Sequence, residues 1–163
     1  LLGDSVMLGP RGYFEENIPN LFINAEGSRP LEDAPMLIDE INKQGNLGDI
    51  VVLELGTNAE KDPKLSLKQI IDEFPIGKRL ILITCYDNRF DQPHRVSRAM
   101  EDIAKKHDYI TLMPWEEAAI KNPSYYEGTD GVHFYGKWDA YDAYLSMLKD
   151  AIDESMSKPS KGE

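Results

Sequence analysis

Disulfide frameworks are excluded at once, because the 163-residue chain holds one cysteine, Cys85, inside the apolar run RLILITCY. A lone thiol there reads as a small buried hydrophobe, and it cannot supply the paired thiolates of a structural zinc site. Histidine is nearly as scarce, with three in all and no two at ligand spacing, so no metal is expected. Long apolar runs are missing: no stretch reaches the roughly 18 residues of a membrane span, and the chain does not open with a signal peptide. Basic residues are short as well, 18 against 29 acidic ones, for a net charge of -11 and no electropositive stripe. Binding to nucleic acid is therefore not expected. Gly56-Thr57-Asn58 lacks the lysine that a phosphate loop needs, and no cofactor is expected.

What is present is alternation. The segments 21–26, 49–55, 78–84 and 109–113 are short, uninterrupted and rich in Ile, Val and Leu, as strands buried on both faces should be. A further strand is expected to end at Leu1-Leu2, as though begun upstream, which reads as a domain cut from a longer protein. Between these runs, Leu31, Ala34, Leu37, Ile38 and Ile41 recur at helical spacing, as do Leu67, Ile70, Ile71 and Phe74. Val96, Met100, Ile103 and Ala104 mark a third helix; Trp138, Tyr141, Leu145, Leu148 and Ile152 mark a long last one. Strand-helix alternation with right-handed crossovers predicts one three-layer αβα domain over residues 1–157 with about five parallel strands. Residues 158–163 read as a disordered polar tail.

Sites in such sheets gather at the carboxyl ends of the strands. The polar clusters Gly3-Asp4-Ser5, Gly27-Ser28-Arg29, Gly56-Thr57-Asn58 and Asp87-Asn88-Arg89 follow four strands in turn, and GTDGVHF follows the fifth. Ser5 is either a helix cap or a nucleophile placed at a helix N-terminus. Asp130 and His133, three apart across a glycine turn, form either a plain surface turn or the carboxylate-imidazole pair that activates a serine. Asn58 is either a loop residue or a donor aimed into the same pocket. His94 and His107 read as structural or solvated.

GDSVMLG, GTNA and DGVHF resemble, in order and spacing over essentially the whole chain, three sequence blocks of the SGNH (GDSL-like) hydrolase superfamily. GDSVMLG followed by INAEGSRP and a late DGVHF resembles, more narrowly, the extracellular C-terminal domain of OatA-type peptidoglycan O-acetyltransferases. The resemblance implies a flavodoxin-like sheet, with Ser5 as nucleophile, His133 as base and Asp130 as its orienting carboxylate. The oxyanion hole it implies takes the Ser5 N–H, the Asn58 side chain and the N–H of Gly27. It further implies acetyl transfer to the C6 hydroxyl of N-acetylmuramic acid, or acetate release to water if the domain is an esterase; a glycan-binding domain without turnover is a third reading. The acetyl donor would come from a membrane acyltransferase domain of the same protein, outside a bacterial cell. Among rim residues, Asn88, Arg89 and Tyr126 are candidates for holding the acceptor.

Overall fold

The computed structural model describes residues 1–163. Its five strands are β1 (Leu2–Gly3), β2 (Asn24–Ala25), β3 (Ile50–Glu54), β4 (Arg79–Ile83) and β5 (Ile110–Met113). They form one parallel sheet in the order β2-β1-β3-β4-β5, with Leu2 opposite both Asn24 and Leu53, and Ile50 to Leu53 opposite Arg79 to Leu82. Strand order reverses at β1, so the crevice beside its carboxyl end is the place this topology opens for a ligand.

Six α-helices cover the two faces: α1 (Arg11–Asn17), α2 (Ala34–Lys43), α3 (Pro63–Glu73), α4 (Gln92–Ala104), α5 (Trp115–Lys121) and α6 (Trp138–Met156). The strands alternate their side chains between two cores. Val52, Ile81 and Ile83 pack with Phe14, Trp115, Phe134 and Tyr144 on the α1, α5 and α6 side. Val51, Leu53, Leu80 and Leu82 pack with Ile38, Leu67, Ile70 and Met100 on the other. Two burial faces explain why the strands read as unbroken apolar runs. The expected three-layer α/β class is the observed one.

Two short helices, α1 and α5, escape periodicity because seven residues give barely two turns of pattern. The tail departs from expectation outright. Lys161 pairs its backbone with Gly77 and Lys78, at 2.8 and 2.9 Å. Its Nζ donates to the carbonyls of Ile71 and Phe74 that end α3, while Arg79 donates to the Lys158 carbonyl at 2.7 Å. Residues 158–163 are thus an ordered strap across the amino ends of the strands. A polar segment is held here by orphan carbonyls that need donors, a tie that composition does not reveal.

Candidate active site

Beyond Gly3 the chain turns sharply into a 3-10 segment, Ser5–Met7. Asp4 caps it, its Oδ1 accepting the Val6 N–H at 2.9 Å. Because the neighbouring aspartate supplies the cap, the Ser5 hydroxyl is left free of that duty. Ser5 Oγ instead lies 2.8 Å from His133 Nε2. The other ring nitrogen, Nδ1, is 2.6 Å from Asp130 Oδ2. Nδ1–H donating to the carboxylate leaves Nε2 as the acceptor for the serine proton.

The turn that carries this pair is tied by its own aspartate. Asp130 Oδ1 accepts the N–H groups of Val132 and His133 at 3.1 and 2.9 Å. Gly131 sits at φ +91°, and a Cβ there would come within 1.9 Å of Asn88 Oδ1, so the position demands glycine twice over. Partial desolvation works to raise the Asp130 pKa. It is outweighed by the bonds from the His133 ring, the two N–H groups and the nearby imidazole charge, which bring the pKa down to about 2.

The Gly27 N–H, in the turn after β2, donates to no acceptor within the protein. The turn holding Gly27 is moored beside the Ser5 turn by the bond from the Glu26 N–H to the Gly3 carbonyl, 3.2 Å. Asn58 does reach this region, but its amide is occupied. Nδ2 donates to Asp4 Oδ2 and to the Arg29 carbonyl, both at 3.1 Å, so both hydrogens are committed in this state.

The floor of the site is a buried polar network that composition does not foretell. Asp4 is fully buried and accepts from Thr57 Oγ1 as well as Asn58. Its N–H donates to the Glu54 backbone carbonyl at 3.2 Å and lies 3.4 Å from Glu54 Oε2. Burial pushes the Asp4 pKa up, against the hydrogen bonds from Thr57 and Val6. Glu54, deeper still, goes well above the ordinary carboxyl range, first by desolvation and then by the Asp4 charge beside it. Arg29, also buried, spends its guanidinium on the Gly3 and Asn24 carbonyls and Asn24 Oδ1, binding the Gly27 turn to β1.

The three acceptor candidates divide. Asn88 is exposed on the rim, its N–H bonded to the Gly131 carbonyl at 3.1 Å, so it braces the Asp130 turn. Arg89 closes a two-pronged bond onto Asp87 at 2.9 and 2.8 Å and lies over Phe90. Tyr126 is in the core: 5% exposed, its Oη taken by Trp115 Nε1 at 2.9 Å. A buried ring with its hydroxyl engaged cannot face a sugar, so this assignment is corrected. Tyr135, two residues past the histidine and one of the aromatics expected near the rim, does reach the site: its Oη donates to the Ser5 carbonyl and its ring lies 5.0 Å from that of His133. The DGVHF block followed by an aromatic was the available signal.

His94 pairs with Glu116 at 2.8 Å, away from the triad. No group of three or more Asp, Glu, His or Cys gathers as metal ligands would. A cavity of about 720 Å³ lies at the amino ends of the strands among Leu1, Phe22, Ile50 and Met156, and neither Ser5 nor His133 lines it.

A parallel 2-1-3-4-5 sheet with serine, histidine and aspartate joined at its carboxyl rim defines an enzyme domain of the SGNH-hydrolase class. No family model matches the chain. Comparison with known proteins narrows the class. O-acetyltransferase OatA of Staphylococcus aureus is 32% identical over 134 residues, which is 82% of this chain and 22% of that protein. Superposition on the C-terminal catalytic domain of Streptococcus pneumoniae peptidoglycan O-acetyltransferase A, a structure with a methylsulfonyl adduct, gives a TM-score of 0.92 at 26% identity, covering 99% of this chain and 96% of that one. A Veillonella parvula member of the lipolytic G-D-S-L family shares the fold alone, with a TM-score of 0.70 at 14% identity. The chain is an SGNH-type domain of the OatA kind, and it spans about a fifth of the length of the S. aureus relative.

Proposed function

We propose that the domain transfers acetyl groups through Ser5 to the C6 hydroxyl of N-acetylmuramic acid in peptidoglycan. The observation that carries the reading is the unbroken chain from Ser5 Oγ to His133 Nε2 to Asp130, at 2.8 and 2.6 Å. Ser5 Oγ bonds to the acetyl carbon as its proton passes to His133 Nε2. The tetrahedral oxyanion is met by the Ser5 and Gly27 N–H groups, and by Asn58 once it releases the Arg29 carbonyl. Collapse expels the donor oxygen, which takes the proton from His133. The sugar hydroxyl then gives its own proton to Nε2 and attacks the acetyl-serine; regenerating Ser5 Oγ–H completes the cycle. Asp130 stays ionised throughout and stabilises the imidazolium.

The OatA kinship supports peptidoglycan as acceptor, and it supports a domain that works outside a bacterial cell as part of a membrane-attached parent, whose acyltransferase portion would deliver acetyl. No helix of this chain is long and apolar enough to cross a membrane. A second reading, acetyl esterase, is favoured by the openness of the triad: the Asp130 side chain is 48% exposed, so water can approach the acyl-enzyme.

The test pairs the native domain with Ser5→Ala on an activated acetyl ester, with and without a chitooligosaccharide, following free acetate and sugar mass. Ser5-dependent acetylated sugar is the expected result. Ser5-dependent acetate with no sugar product would make the domain an esterase, and equal rates for both proteins would remove Ser5 from the chemistry.

A further inference from the structure

Large aromatic side chains left in water beside a reactive serine call for an account. Trp138 opens α6 with 61% of its surface exposed, and Tyr135 is 43% exposed. Neither is loosely held. Trp138 meets Tyr13 edge-on at 5.6 Å and Tyr141 edge-on at 5.3 Å. Tyr13 stacks on Tyr141 at 6.0 Å and anchors its hydroxyl on Asp142 at 2.5 Å. Tyr141 is itself buried and accepts the Gly136 N–H at 3.1 Å. Tyr135 is pinned at the nucleophile by its bond to the Ser5 carbonyl. Its ring also fills the space over Gly9, where a Cβ would stand 2.1 Å from Tyr135 Cδ1.

We infer that Tyr135, Trp138 and Tyr13 form a rigid aromatic shelf, running from Ser5 and His133 onto the first turns of α6 and α1, that binds the acceptor glycan. The inference rests on the acetyl-transfer reading for what the glycan does there, though not for its binding. Flat, pre-ordered rings suit the C–H faces of pyranoses, and ordering them costs little on binding. The exposed carboxylates of Asp139 and Asp142 flank Trp138 and can accept bonds from sugar hydroxyls. Those same charges, in a chain of net charge -11, turn away anionic lipid and nucleic acid. A neutral N-acetylhexosamine chain is the occupant that fits. With one sugar at Ser5, its neighbours lie over Tyr135 and then Trp138. Arg89, on the loop after β4, spends its guanidinium on Asp87.

The chain carries its own reporter, since its only other tryptophan, Trp115, is 2% exposed. Chitopentaose is titrated into Ser5→Ala, which binds without turning over, with tryptophan emission and calorimetry read in parallel. Saturable blue-shifted emission is expected. Trp138→Ala in that background should weaken the calorimetric affinity by about tenfold or more, and Trp138→Phe, which keeps a ring, should recover most of it. Unchanged emission, affinity within twofold of the parent in Trp138→Ala, or binding to anionic vesicles in place of chitopentaose would overturn the shelf. Because Ser5→Ala does no chemistry, a failure of acetyl transfer in the native domain would fall on the proposed reaction and leave this result standing.

Discussion

Two aspartates hold the two halves of the site, and they work under opposite conditions. Asp4 is fully buried beneath Ser5, whereas the Asp130 side chain is half in water beside His133. Each accepts hydrogen bonds from backbone N–H and from side chains, Thr57 and Asn58 at Asp4 and His133 at Asp130, yet the pKa of Asp4 rises and that of Asp130 falls to about 2. Desolvation wins at the first and hydrogen bonding at the second. The same residue type is therefore a structural keystone on one side of Ser5 and an electrostatic partner on the other. On the first side ionisation is opposed, and on the second it is secured.

The largest effect should come from the exposed aspartate. Asp130→Asn keeps the shape of the turn but leaves the imidazole without its anionic partner and offers the wrong tautomer; kcat should fall by about 10³-fold or more, with little change in thermal midpoint. A large loss of stability with modest loss of rate would reverse the roles drawn above. Asp4→Asn should do the converse. Placing an amide N–H against Thr57 and Asn58, which both donate, should destabilise the fold by about 2–3 kcal/mol, read by urea unfolding. An unchanged midpoint would show that the buried network is not what holds the nucleophile turn.

Glu54→Gln probes the floor by pH. Because burial raises the folded carboxyl well above its ordinary value of 4.5, the folded state keeps a proton that the unfolded chain releases. Stability contributed by that proton is full below about pH 4.5 and is lost as pH rises toward the folded pKa. Glutamine mimics the protonated acid at every pH. The thermal midpoint of Glu54→Gln should gain on that of the native chain as pH goes from 5 to about 9, and a pH-independent difference would refute a neutral Glu54. The smallest effect belongs to Tyr126→Phe. It removes the acceptor for Trp115 Nε1 and should cost about 1 kcal/mol in urea unfolding, while glycan affinity measured by calorimetry stays put. A clear fall in that affinity would return Tyr126 to the acceptor site.

The sheet, the layers and the meeting of Ser5, His133 and Asp130 were legible because each rests on a local pattern. Runs such as VVLEL have to be buried on both faces, and the polar clusters after them have to fall on one rim. Burial of single aromatics was not legible. Tyr125, Tyr126, Phe134 and Tyr135 look alike in sequence, yet Phe134 is wholly buried and its neighbour Tyr135 stands in solvent. The difference arises from which side chains face α6, a tertiary fact. The commitment of Asn58 to Asp4 and Arg29 is of the same kind, since those partners stand 54 and 29 positions away. So is the strap at 158–163, whose lysines find carbonyls distant in the chain.

That strap sets how the domain can be held. Lys161 is fastened beside Lys78, before β4 begins, and the Leu1 amino group donates to the Phe22 carbonyl at 2.6 Å, before β1. Both ends of the described chain therefore lie at the base of the sheet, and Ser5 lies at its opposite rim. A tether joined at either end grips the domain like a stalk grips a cup, with the reactive lip turned outward. Surface immobilisation through Leu1 or Glu163 should accordingly leave the catalytic mouth open to a polymer far larger than the domain itself.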